Sequence, residues 1–199
     1  ITAPRYSYWH SVVRVFFKKK INIIILSILA LLIAVTYIYP IFVEYDKFGN
    51  IMDGTTKHLS PSAAIERLGF SIHWILGTGA AGQSTFDAVW FGSRISISLA
   101  FICAAINLTV GVIVGSIWGF SKKVDVFMQE IYNILANIPY ILLISVMIML
   151  LKAGFWTMVL ALTITGWLGI AYFIRTQVVI IRDREYNLAS KCLGTSTLK

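Results

Sequence analysis

Residues 21–43 pass without one charged side chain, and Asn22, Ser27 and Thr36 are the only strongly polar groups among them. The hydrocarbon core of a bilayer takes ~20 helical residues to cross. Inside it every backbone N–H and C=O must be paired within the segment, so an apolar run of this length commits the chain to a membrane-spanning helix. Pro40 falls near the far end of the run, where a lost backbone hydrogen bond costs little. Residues 95–120 and 131–151 read the same way, and 155–181 reads as a fourth span with a cytoplasmic extension that carries Arg175. Only 13% of the chain is charged, against about 25% in ordinary soluble domains, which excludes a soluble fold. The expected class is an all-α integral membrane protein with four spans.

The intervening segments differ in character. In residues 1–20, Trp9, Val12, Val13, Phe16 and Phe17 fall at helical spacing, with Arg14, Lys18, Lys19 and Lys20 supplying charge. This pattern suits an amphipathic helix lying in the headgroup plane; the alternative is an unstructured basic tail that only orients the next span. It is not expected to be a signal peptide, because the apolar run that follows is too long and lacks a small-residue cleavage site. Residues 44–94 are polar enough for an aqueous loop, with Glu44, Asp46, Asp53, Glu66 and Asp87 among them. Asp87 to Phe91 reads as a short interfacial helix ahead of span two. The glycine-rich stretch Gly77-Thr78-Gly79-Ala80-Ala81-Gly82 lacks the Gly-Lys-Ser/Thr ending of a phosphate loop. Residues 121–130 form a polar turn, and 182–199 a polar, basic terminal segment.

That terminal segment is patterned. On a helix, Leu188, Ala189, Cys192 and Leu193 share one face, and Asn187, Ser190 and Lys191 the other. Gly194 follows where a left-handed cap would close the helix. A short amphipathic helix at the mouth of a membrane bundle needs something to receive its apolar face.

Basic residues set the orientation. The first twenty residues, the 121–130 turn and the segment from Arg175 onward hold twelve of the 17 lysines and arginines. The 44–94 loop and Lys152 hold the other five, against five acids in that loop. The positive-inside rule therefore places the N-terminus, the 121–130 turn and residues 182–199 in the cytoplasm. The net charge of +8 belongs to this arrangement and implies no nucleic-acid partner.

Two features lie within the spans. Ser96, Ala100 and Ala104, and then Asn107, Gly111, Gly115 and Gly119, recur every fourth residue. Small residues at that spacing let a second helix approach closely. The seam is either a contact with a second subunit or packing within the chain's own bundle. Pro139 interrupts span three, and Asn137 or a neighbour must satisfy the carbonyl it frees; such a kink lines a cavity in some transporters and is plain structure in many helices.

The chemistry missing from the chain narrows its function. The centres of the spans carry no Asp, Glu, Lys, Arg or His, the groups that couple transport to protons or ions. There is no Walker A sequence, no His-Glu-x-x-His, no Gly-x-Ser-x-Gly and no Cys-x-x-Cys. Cys103 and Cys192 are badly placed to pair and are expected to be reduced. No catalytic residue, metal site or cofactor is expected, and any energy source must arrive through a partner.

The order of features resembles the permease subunits of bacterial ATP-binding-cassette importers, most closely the second permease of the oligopeptide/dipeptide/nickel group. The resemblance is carried by Leu76-Gly77-Thr78-Gly79 with Gly82-Gln83-Ser84, by Ser93-Arg94-Ile95-Ser96, and by Gly119-Phe120 with Val124-Asp125. It continues in Asn137-Ile138-Pro139, in Thr165-Gly166-Trp167, and in Arg184-Glu185-Tyr186 with Ala189, Leu193, Gly194 and Ser196. The last set matches the family's cytoplasmic Glu-Ala-Ala-x-x-x-Gly loop, with Leu188 in place of the glutamate and Ser190 in place of the second alanine.

The resemblance implies a type I ABC importer transmembrane-domain fold, with four of an expected six spans present, in the bacterial plasma (inner) membrane. It implies a permease rather than an enzyme. Its partners would be a second homologous permease, two cytoplasmic ATPase subunits that hold ATP and Mg, and an extracytoplasmic substrate-binding protein. The ATPase-coupling surface would comprise Glu185, Tyr186, Leu188, Ala189, Ser190, Leu193 and Gly194, with Gly111, Gly115 and Gly119 as packing seam and Pro139 as kink. Peptide is the expected cargo. Nickel or another small solute on the same scaffold, and a non-transporting membrane scaffold, are the alternatives.

Overall fold

The computed structural model describes residues 8–45 and 54–194, apart from the side chains of Leu188, Ser190 and Lys191. The expected segments 1–20, 44–94 and 182–199 therefore lie partly outside the described residues. So do Asp46 and Asp53 of the loop and Ser196 of the terminal motif. Among the described residues the chain is helical apart from turns and one isolated β-bridge, and it divides into two compact units, residues 1–96 and 97–199.

The first unit begins with α1 (Tyr8–Lys18) and α2 (Lys20–Phe42), separated by the extended residue Lys19. The Asn22 side chain donates to the carbonyl of Phe16 at 3.0 Å, so one of the carbonyls left over at the end of α1 is paired across the break. Pro40 lies in the last turn of α2, and Val43 closes the helix in extended conformation.

Beyond α2 the polar segment folds around its own hydrogen bonds. Helix α3 (Pro61–Leu68) starts with Ser60 accepting from the Ala63 amide and Pro61 in its first turn, and stops at Gly69 with φ +86°. The Thr78 hydroxyl donates to Thr56 O at 2.5 Å and accepts from Leu59 N at 2.9 Å, fastening the glycine-rich stretch to the 54–60 segment. Gly77 sits at φ +71°, and a Cβ there would run into the Leu59 carbonyl. The stretch is thus a folded turn around buried Thr78 and Ser84.

Helix α4 (Thr85–Phe120) starts directly after it, capped by Ser84 Oγ, which accepts from the Asp87 amide at 3.1 Å. The short interfacial helix expected at Asp87–Phe91 is not separate: nothing breaks the chain there, and it runs on into span two, ten residues before the expected start at 95. At 36 residues, α4 is ~54 Å long, more than the ~30 Å hydrocarbon core needs. Buried Asp87 accepts from the Tyr39 hydroxyl at 2.5 Å and lies 2.8 and 3.0 Å from His73 Nδ1, tying α2, α4 and the loop together within this unit.

In the second unit, the expected 121–130 turn is mostly helix. α5 (Lys122–Ala136) and α6 (Tyr140–Leu151) meet at a 75° bend, so residues 131–151 are not one continuous helix. Pro139 cannot donate to the α5 ladder and instead opens α6, while Asn137 Nδ2 donates to the Asn133 carbonyl at 2.5 Å. Alone, α6 with its 12 residues reaches ~18 Å. A turn through Lys152 and Gly154 leads to α7 (Phe155–Thr163), and α8 (Trp167–Arg182) continues after a one-turn joint at Ile164–Thr165–Gly166. The Trp167 indole closes that joint by donating to the Ile164 carbonyl at 3.0 Å. Helix α9 (Glu185–Cys192) ends the described chain. By length and composition three helices can cross a membrane (Lys20–Phe42, Thr85–Phe120 and Phe155–Arg182), or four if the bent pair counts as one span.

Candidate functional site

The small-residue seam of α4 faces α8 of the same chain. A Cβ on Gly111 would lie 2.7 Å from Ile170 Cβ, one on Gly115 2.5 Å from Ala171 O, and one on Gly119 2.7 Å from Arg175 O. Each glycine therefore admits the backbone of the neighbouring helix at a distance no larger residue permits, and dispersion contacts accumulate along the whole stripe. Asn107, at the head of the stripe, packs against Gly166 in the α7–α8 joint.

The end of α8 is held by charge as well. Arg175 binds Asp125 of α5 in a two-pronged pair, Nε to Oδ1 at 2.8 Å and Nη2 to Oδ2 at 2.7 Å. The side chains are 22% and 19% exposed, so water screens the pair only weakly. The fully buried Trp118 of α4 donates its indole N–H to the Asp125 backbone carbonyl at 3.2 Å. Tyr132 of α5 and Tyr172 of α8 stack at 4.7 Å beside it, with the Arg175 guanidinium 5.9 Å from the Tyr172 ring centre. Two turns further on, Arg182 Nη1 donates to the Gly119 carbonyl at 2.9 Å and satisfies an orphan acceptor at the end of α4. Three helices are thereby locked at one end.

Helix α9 hangs from this lock. The Asp183 amide closes α8 on Val179 O, Asp183 receives the remaining donors of Arg182, and Asn187 Nδ2 reaches back to Ile181 O at 2.5 Å. The bond from Leu193 N to Ala189 O then ends the helix, and Gly194 adopts φ +80°, the left-handed position its sequence location suggested. Glu185, Tyr186, Ala189, Cys192 and Leu193 are exposed, Leu193 by 86% and Tyr186 by 64%. Leu188 and Ser190 are on α9 by backbone position, their side chains outside the described residues. Among the described side chains, Ala189 and Cys192 of α9 and Leu193 just beyond it are thus left open on a helix tethered to the α4–α5–α8 lock. Pro139 and Asn137 belong to the α5–α6 bend and do not join this surface.

Sequence reasoning did not bring Arg175, Asp125, Trp118 and Arg182 together. The signal was present: an arginine inside an otherwise apolar helix requires a partner, and Asp125 is one of only four acids outside the 44–94 loop.

Helices of membrane-crossing length, packed against one another through glycines, mark a multi-pass membrane protein. Residues 108–199 match the family of binding-protein-dependent transport system inner membrane components, and residues 7–61 match the N-terminal TM domain of oligopeptide transport permease C. The chain belongs to this permease family and has its type I transmembrane fold. It is 45% identical to the oligopeptide transport system permease protein AmiD of Streptococcus pneumoniae, over all of this chain and 62% of that protein. It is 33% identical to the oligopeptide permease OppC of Bacillus subtilis, over 99% of this chain and 61% of the relative. The dipeptide permease DppC of the same organism is 32% identical, over 100% and 59%. The chain thus spans about three fifths of the length of these curated relatives.

Proposed function

We propose that this chain is part of the transmembrane permease subunit of an ATP-driven importer of oligopeptides or dipeptides. It forms half of the translocation pathway beside a second homologous permease, and takes its cargo from an extracytoplasmic binding protein. Two cytoplasmic ATPases, which carry ATP and Mg, drive it. The N-terminus and α9 lie on the cytoplasmic side, in keeping with the concentration of basic residues there. The single observation that carries the coupling role is the open face of α9 on a base fastened by Asp125–Arg175 and Arg182–Gly119. An ATPase groove that closes on this face moves α8 with α4 and α5 as one body, since their shared contacts resist independent sliding. The peptide cargo rests on the names of the relatives.

The test uses the complete importer in proteoliposomes. Ala189→Trp, on the exposed face of α9, is expected to leave membrane insertion intact and abolish peptide uptake while ATP hydrolysis continues. Uptake at the unmodified rate would overturn the coupling role. Uptake of nickel but not peptide would reassign the cargo, and absence of any co-purifying ATPase would favour a membrane scaffold.

A further inference from the structure

The N-terminal elbow forms a groove with a defined chemistry. Val12, Val15 and Phe16 of α1 wall a cavity of about 460 Å³, and Ser11, Lys19 and Asn22 supply its polar edge. That volume falls within the range of small-molecule sites, roughly 300–1,000 Å³. Its wall is overwhelmingly carbon, and the basic residue among its lining, Lys19, directly precedes the first turn of α2. No residue of α1 is buried by the described residues.

The charge around the groove has one sign. Residues 1–43 contain five bases and no acid, and Lys18, Lys19 and Lys20 are consecutive at the elbow. Among the described residues none of these three lysines has an acidic partner. His10 and Arg14 pair with each other on the adjoining stripe of α1. The elbow stands where the apolar span begins, which is the depth of lipid headgroups.

We propose that the α1–α2 groove binds one anionic phospholipid. The acyl end lies against Val12, Val15 and Phe16, and the phosphate meets Lys19, with Lys18 and Lys20 adding to the field. Apolar wall and cationic rim together select an amphiphile bearing negative charge, and the membrane offers that molecule at this level. The site rests on the membrane placement stated under Proposed function.

The test is native mass spectrometry of the chain in neutral detergent, titrated with phosphatidylglycerol or with phosphatidylcholine of the same acyl chains. Phosphatidylglycerol is expected to fill one site at lower concentration than phosphatidylcholine. Lys19→Gln is expected to weaken it about fivefold, the worth of one lysine at an anionic surface. Val15→Trp, which fills the groove without altering charge, is expected to weaken both lipids, while Lys122→Gln changes neither. Equal affinity for the two lipids, or unchanged binding in both Lys19→Gln and Val15→Trp, would overturn the proposal. Alkaline carbonate extraction of cell membranes separates the two levels. A chain that is extracted refutes the membrane placement itself, whereas one that resists extraction yet shows no phosphatidylglycerol preference refutes only the lipid site.

Discussion

Adding one methyl group at Gly115 sets the α4 backbone against the α8 backbone. The new Cβ would stand 2.5 Å from the Ala171 carbonyl oxygen and 2.8 Å from Ile174 Cβ, whereas ordinary contact begins at 3.4 Å. Neither neighbour is the flexible tip of a side chain, so the helices must part locally, and overpacking of this sort costs ~1–3 kcal/mol. Alanine also raises helix propensity over glycine by about 1 kcal/mol, which would mask part of the loss. Gly169 supplies the control. It lies within α8, and a Cβ there meets nothing within 4 Å, so Gly169→Ala gains the propensity without the clash. The difference between the two variants isolates the packing term, and at ~2–4 °C per kcal/mol for a chain of this size it corresponds to a Tm separation of roughly 2–12 °C, with Gly115→Ala the lower. A thiol-reactive dye reads this in detergent. Cys103 in α4 is buried and becomes reactive on unfolding, once exposed Cys192 is replaced by Ser to silence it. Equal Tm shifts for the two alanine variants would refute the close α4–α8 approach.

Breaking the Asp125–Arg175 pair with either Asp125→Ala or Arg175→Ala is expected to lower stability by ~2–4 kcal/mol, because the surviving charge is left poorly solvated. The double variant should lose less than the sum of the two, with a coupling of about 1–3 kcal/mol in the same thermal assay; simple additivity would count against a direct pair. Gly77→Ala places a side chain at φ +71° against the Leu59 carbonyl, and is expected to loosen the fold of the polar segment by more than ~1 kcal/mol. Faster trypsin cleavage at Lys57 and Arg67 would register that loosening, and an unchanged digestion pattern would refute it. With the Ala189→Trp transport assay, these measurements probe the seam, the lock, the polar segment and α9 separately.

The sequence by itself determined whatever depends on near neighbours. The apolar run over 21–43 closely anticipates α2, because a helix buries its own backbone and needs no other segment to do so. Glycines at every fourth position marked the face of α4 available for close approach, and the placement of Gly194 after an amphipathic turn anticipated its left-handed backbone. The requirement that Asn137 or a neighbour repair the proline break was likewise local: the Ile138 amide takes the Leu135 carbonyl that Pro139 leaves free, and Asn137 caps the Asn133 carbonyl beside it.

Only the tertiary structure decided what those faces meet. The periodicity of α4 offered a seam but not its occupant, and α8, some sixty residues later, fills it. Pro139 marked a break but neither its 75° angle nor the contact beyond it, where the Tyr140 hydroxyl reaches the Leu162 carbonyl of α7 at 3.2 Å. Asp125 and Arg175 stand fifty positions apart, so neither spacing nor charge pattern joined them. The reason is the same in each case. A stripe of glycines or a lone arginine states that a partner is needed, while the identity of that partner depends on which distant helix brings a complementary surface within van der Waals and hydrogen-bond reach.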